Sequence, residues 1–247
     1  MCASLLLVSA CGGGGGDTPA SRPPSAAQGL WTGSTTSSRT LKGLVFGDGT
    51  YYVFYSPAGL PTAVAGVVQG TSGTGTGIWS STDGVDFNLE ADIPSILPAT
   101  MSAGFVAKKS FEGTIAYASG AKTTFTAAYD TAYETVPSLA ALAGSYTGQT
   151  GLSTGVKTAK VTVTTGGGIT GTITIDKAST CAFSGTATPR TDGNAYDIAL
   201  SLDDAPCPTP KLRVAGIAYF DTAAKKLYLA APNAARTDGV LFLGTKP

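Results

Sequence analysis

The chain reads as an all-β protein: two consecutive antiparallel β-barrels or sandwiches of about eight short strands each, following a flexible N-terminal tether. Three observations predict this. Apolar and polar residues alternate with the period of half-buried strands over most of the sequence. Turn residues interrupt the alternation at short intervals. Finally, Gly29-Leu30-Trp31-Thr32-Gly33 recurs as Gly144-Ser145-Tyr146-Thr147-Gly148, each copy opening a run of strands.

The clearest strand is Ile169-Thr170-Gly171-Thr172-Ile173-Thr174-Ile175, whose isoleucines face one way and threonines the other. Tyr196, Ile198, Leu200 and Leu202 share a face in the same manner, as do Leu212, Val214, Gly216, Ala218 and Phe220. Gly47-Asp48-Gly49 between Leu41–Phe46 and Thr50–Tyr55 predicts a hairpin, and Ser119-Gly120 between Ser110–Tyr117 and Lys122–Tyr129 predicts another. Gly166–Gly168 and Asp192-Gly193-Asn194 act likewise in the second half. Val136-Pro137-Ser138-Leu139-Ala140-Ala141-Leu142-Ala143 predicts a short helix with proline in its first turn and Gly144 as its stop. The first β domain is therefore expected over 29–136, a helical connector over 137–143 and the second β domain over 144–247. A single continuous sandwich is the alternative.

Composition excludes several functions. Lysine and arginine (16) balance aspartate and glutamate (16), so no basic face exists to neutralise nucleic-acid phosphates. Histidine is absent, which removes the commonest general base and metal ligand. Of the four cysteines, Cys181 and Cys207 are expected to pair in an oxidising compartment, a two-thiol metal site being the rival reading. The loop-entropy relation gives such a bond about 3.5 kcal/mol.

Near the start, Leu5-Leu6-Leu7-Val8-Ser9-Ala10-Cys11 precedes five glycines. This resembles a bacterial lipoprotein signal, with Val8-Ser9-Ala10-Cys11 as the lipobox. The resemblance implies that residues 1–10 are a signal peptide removed by cleavage and that Cys11 carries acyl chains such as palmitate. It further implies residues 11–28 as a Gly- and Pro-rich spacer. No Lys or Arg precedes Cys11, so the leader is expected to begin upstream of Met1. Gly12, where an aspartate would favour inner-membrane retention, implies an outer-membrane protein facing the periplasm or the cell surface. The expected partners are the membrane, through the lipid, and another envelope or host protein; no cofactor and no nucleic acid are expected, and the oligomeric state is left open.

A glycine, one residue and a large aromatic in the first strand after a short helical turn also resemble the calycins, the superfamily of lipocalins, fatty-acid-binding proteins and avidins. That resemblance implies eight-stranded up-and-down barrels in which Trp31 and Tyr146 plug one end. Tyr146 stands where the family has tryptophan.

No catalytic constellation is found. Asp83, Asp86, Asn88, Glu90 and Asp92 form the densest acidic cluster, the last four alternating onto one strand face. They offer oxygen ligands for a hard cation, but the spacing is not that of an EF-hand and suits a solvent-facing strand. Gly70-Thr71-Ser72-Gly73-Thr74 lacks the closing glycine of a hydrolase elbow. Gly73-Thr74-Gly75-Thr76-Gly77 lacks the lysine and helix of a phosphate cradle. Tyr51, Tyr52, Phe54 and Tyr55 place rings on both faces of one strand, which predicts either an exposed aromatic binding surface or packing against a neighbouring domain. The function expected is a non-enzymatic binding or surface-interaction module, the alternatives being a carrier of a small apolar ligand and, less favoured, a carboxylate-dependent enzyme.

Overall fold

The computed structural model describes residues 25–75, 77–90 and 95–247. The lipobox-like segment, Cys11 and the expected spacer up to residue 24 lie outside the described residues, as does Asp92.

The first barrel consists of β1 (Gly29–Thr35), β2 (Thr40–Val45), β3 (Thr50–Tyr55), β4 (Gly66–Thr71), β6 (Ile78–Asn88), β7 (Ser95–Val106), β8 (Ser110–Tyr117) and β9 (Lys122–Asp130). Each strand pairs antiparallel with the next, β4 pairs with β6, and β9 pairs back onto β1, which closes the sheet. The short β5 (Gly73–Gly75) hangs on the edge of β6. Asp130 caps a 3-10 turn, Thr131–Glu134, that the sequence reading did not foresee. The predicted helix contracts to one turn, α1 (Leu139–Leu142), with Pro137 outside it. A single turn makes too few backbone bonds to persist without packing, and here Leu142 anchors it in the second core.

The second barrel follows as β10 (Gly144–Leu152), β11 (Gly155–Val163), β12 (Gly168–Thr174), β13 (Thr180–Pro189), β14 (Tyr196–Leu202), β15 (Arg213–Asp221), β16 (Lys226–Pro232) and β17 (Gly239–Thr245), with β10 and β17 paired. Closure leaves this second barrel no free edge for another chain to extend.

The repeated motif has one physical job in both barrels. Trp31 Nε1 donates to the carbonyl of Ala27 and Tyr146 Oη to that of Leu142, in each case four residues upstream, so each ring is tied to the segment that leads into its barrel. Both rings are buried. The second glycine of each copy sits at the closing seam. A Cβ at Gly33 would lie 1.9 Å from the Thr126 carbonyl oxygen, and one at Gly148 would lie 2.0 Å from that of Leu243. Only hydrogen on those carbons lets the last strand come within bonding distance of the first.

Each barrel has its own core, and a third apolar cluster joins them. Leu30, Leu44, Phe46, Tyr52, Phe54, Val67 and Phe87 project outward from the first barrel and meet Ile217, Tyr219, Ala230 and Leu241 of the second. Polar contacts rim this contact. Lys42 pairs with Asp221 at 2.8 Å and lies over the Tyr219 and Tyr228 rings. Arg190 pairs with Asp192 at 2.8 Å and with Asp197, and covers the Phe46 ring at 4.0 Å. Asp192 in turn accepts from the Gly47 amide across the junction.

Candidate functional site

The two barrels differ inside. The second is filled: Tyr146 closes one end, Lys246 covers the Phe220 ring while donating to the Ala141 and Ala143 carbonyls, and the Cys181–Cys207 disulfide fixes the 203–212 loop to β13. Its interior side chains, among them Ile173, Phe183, Ile198, Leu200 and Leu229, pack into one core.

The first barrel is filled only at the end where the chain enters. There Trp31, Trp79 and Phe125 surround Phe111 in tilted and edge-to-face contacts with centroids 5.2–5.6 Å from its own. Beside them is a void of about 10 Å³, and Trp79 Nε1 is buried without a hydrogen-bond partner among the described residues. Above Leu41 and Val53 the barrel opens. A cup of about 430 Å³ reaches the surface at the far end, walled by Leu41, Val53, Leu97, Pro98, Ile115 and the rings of Tyr55 and Tyr117. Arg39, Asn88, Glu90 and Lys122 stand at its rim.

Asp86 organises the wall of this cup. Its carboxylate is 1% exposed and accepts a hydrogen bond from Tyr55 at 2.7 Å on Oδ1 and from Tyr117 at 2.8 Å on Oδ2. Burial pushes its carboxyl above the ordinary range, while the two phenols and nearby Arg39 pull the other way and Glu90 adds to the rise. Burial and the Asp86 charge likewise push both phenols far up, so they remain protonated donors. Arg39 pairs with Glu90 at 2.7 Å, donates to the Ser56 carbonyl at 3.0 Å and lies over the Tyr55 ring.

Backbone irregularity delivers these groups. Along β6 the pairing with β7 slips between Ser81 and Gly84, a bulge that inserts one extra residue. Before it Trp79 and Ser81 are buried; after it the inward parity changes and Asp86 turns into the barrel. Gly66 on β4 makes room for Tyr55, since a Cβ there would lie 2.3 Å from the phenol oxygen.

The acidic cluster of the sequence reading is thus dispersed. Asp83 points out, accepting from Thr71 and Ser81 with Arg236 3.6 Å away, whereas Asp86 is interior and Asn88 and Glu90 reach the rim. The expectation of a solvent-facing strand is corrected by the bulge. Among the described residues no group of three or more histidine, cysteine, aspartate or glutamate side chains is placed to hold a metal ion.

The aromatic set separates in the same way. Tyr51 is buried inside the first barrel, its hydroxyl donating to Ser81 Oγ at 2.9 Å, and Tyr52 and Phe54 are buried between the barrels. The expected exposed surface is therefore corrected for these three: two are covered because the second barrel docks on that face. Of the four, Tyr55 is the one that walls the first-barrel cup, while Tyr52 and Phe54 border clefts between the barrels. The sequence reading missed Tyr117, Arg39 and Leu97, which become neighbours only when eight strands close.

No protein-family model matches the chain, and no curated protein matches it. The fold itself defines the class: a tandem of two closed, eight-stranded, antiparallel barrels.

Proposed function

We propose that this protein is a binding module that takes one small, largely apolar molecule into the open mouth of its first barrel, while the filled second barrel serves as a docked support. The observation that carries this reading is the asymmetry between the two interiors: aromatic packing stops halfway up the first barrel and leaves a cup of about 430 Å³ with aliphatic walls. Concave apolar sites of roughly 300–1,000 Å³ with a few fixed polar groups are the usual form of small-molecule sites. The module is read as non-enzymatic on the sequence, which holds no histidine to activate a nucleophile.

The same proposal places the protein at the outer membrane through acylated Cys11. The lipobox-like segment and the glycine run support this. So does the direction of entry, because β1 starts at the filled end of the first barrel and finishes at the open one, so a tether at Ser25 leaves the cup facing away from its anchor. More than one acyl chain gives stable attachment where a single chain is marginal.

The test is titration with the neutral fluorophore N-phenyl-1-naphthylamine. Saturable one-to-one binding, lost in Ile115→Trp or in the mouth variant Leu97→Trp with unchanged circular dichroism, is expected. Absence of saturable binding, or binding indifferent to both variants, refutes the ligand reading. Loss of the membrane-fraction protein on Cys11→Ala tests the anchor separately.

A further inference from the structure

The charges of the cup are unevenly placed. Asp86 stands in the wall, whereas Glu90, Arg39 and Lys122 stand at the rim, where the Arg39 guanidinium is engaged by Glu90 and the Ser56 carbonyl. Asp86 lies behind the wall, and each of its oxygens receives a single phenol proton. The Tyr55 and Tyr117 hydroxyls spend their only protons on that carboxylate, so toward any further group their oxygens can only accept, and both residues line the cup. Rings whose hydroxyls donate to an anion are good partners for a cation, and a water-excluded wall strengthens that attraction.

We infer that the molecule held in the first-barrel cup is an apolar amine, its ammonium group seated between Tyr55 and Tyr117 over Asp86 and its hydrocarbon body against Leu97 and Ile115. This deepens, and rests on, the reading of the cup as a ligand site. Acceptors and ring faces receive the ammonium protons, and its charge offsets that of the buried carboxylate. A carboxylate head in the same place would meet lone pairs and a second anion. Lys122 at the rim is the one cation near the cup without a carboxylate partner within ion-pair distance among the described residues. It offers an acid a place at the mouth, which the test must distinguish.

The test displaces N-phenyl-1-naphthylamine from the full chain with octylamine, 1-octanol and octanoate at neutral pH. The amine is expected to compete at concentrations at least about tenfold below the other two, the size of effect that one charge-assisted bond confers. Asp86→Asn, which keeps the side-chain shape and removes the charge, is expected to erase most of that advantage and leave octanol within about threefold. Lys122→Ala, which takes a positive charge from the mouth, is expected to weaken octanoate relative to octylamine. Octanoate or octanol matching or beating octylamine overturns the inference while leaving the ligand site intact, and so does an Asp86→Asn variant that weakens all three equally. If the fluorophore itself does not bind, the ligand reading fails, and the amine inference fails with it.

Discussion

Tyr55 reaches Asp86 from the opposite side of Gly66, its hydroxyl resting where any Cβ on β4 would stand 2.3 Å away. Neither the bond nor the cup wall it fixes survives a side chain at that position. Gly66→Ala is therefore expected to displace the Tyr55 ring and to cost about 1–3 kcal/mol, the range for a buried hydrogen bond lost with one partner left unpaired. Urea unfolding of Gly66→Ala, Tyr55→Phe and the double variant checks this. Because both changes remove one bond, their effects should be less than additive, and full additivity would mean that the glycine has no bearing on the tyrosine.

Asp86 sets a pH dependence of its own. Its folded-state carboxyl titrates above the ordinary value of about 3.9, so the native state binds a proton more readily than the unfolded chain over the interval between the two. Stability from this group is then gained as pH falls through the folded value and is absent well above it. The stability difference between wild type and Asp86→Asn should move in favour of wild type as pH is lowered from 7 toward 4. A difference that is flat with pH, or that moves the other way, contradicts the burial assigned to this carboxyl.

The junction between barrels responds in the opposite sense. Burial works against the charges of Asp192 and Asp221, but Arg190 with the Gly47 amide, and Lys42 with the Ala224 amide, hold them below the ordinary range. The contribution of these two carboxylates is complete above about pH 4 and is lost as pH falls through their depressed values. Arg190→Ala leaves Asp192 with one partner fewer and uncovers the Phe46 ring, an expected loss of about 1–3 kcal/mol for a partly exposed ion pair. It should also raise the rate at which protease cuts the 131–143 connector. Unchanged cleavage and an unchanged melting temperature would show that the apolar contact alone docks the barrels.

Gly33 and Gly148 should behave as a matched pair. Valine at either would drive a side chain into the backbone of the closing strand, so each is expected to cost more than about 3 kcal/mol, above the usual range for one substitution. Hydrogen exchange should locate the damage: β1 and β9 for Gly33→Val, β10 and β17 for Gly148→Val. Spread of either effect evenly through both barrels would argue against separate cores.

What the sequence made legible was what depends on one strand and its own core. In β12 and β14, period-two alternation assigned the inner face correctly because the other face meets water. In β3 the same rule shows rings on both sides but does not tell a covered face from an exposed one. Tyr52 and Phe54 are buried by residues more than 160 positions away, such as Ile217 and Tyr228. The cup was harder still to read. Asp86 enters the barrel only through the slip at Ser81/Gly84, and an alternation rule carried across that bulge assigns the wrong face. The disulfide was readable by elimination, because the other two cysteines, Cys2 and Cys11, fall in the segment that resembles a lipoprotein signal.

Methyl-resolved NMR during titration with N-phenyl-1-naphthylamine is the most direct measurement of the central claim, that one barrel is open and its twin is full. The account predicts saturable shifts at Leu41, Val53, Leu97 and Ile115, with Ile173, Val214 and Leu229 of the second barrel unmoved. Shifts centred on the second barrel's interior, or none in the first barrel's mouth at saturating probe, would contradict it.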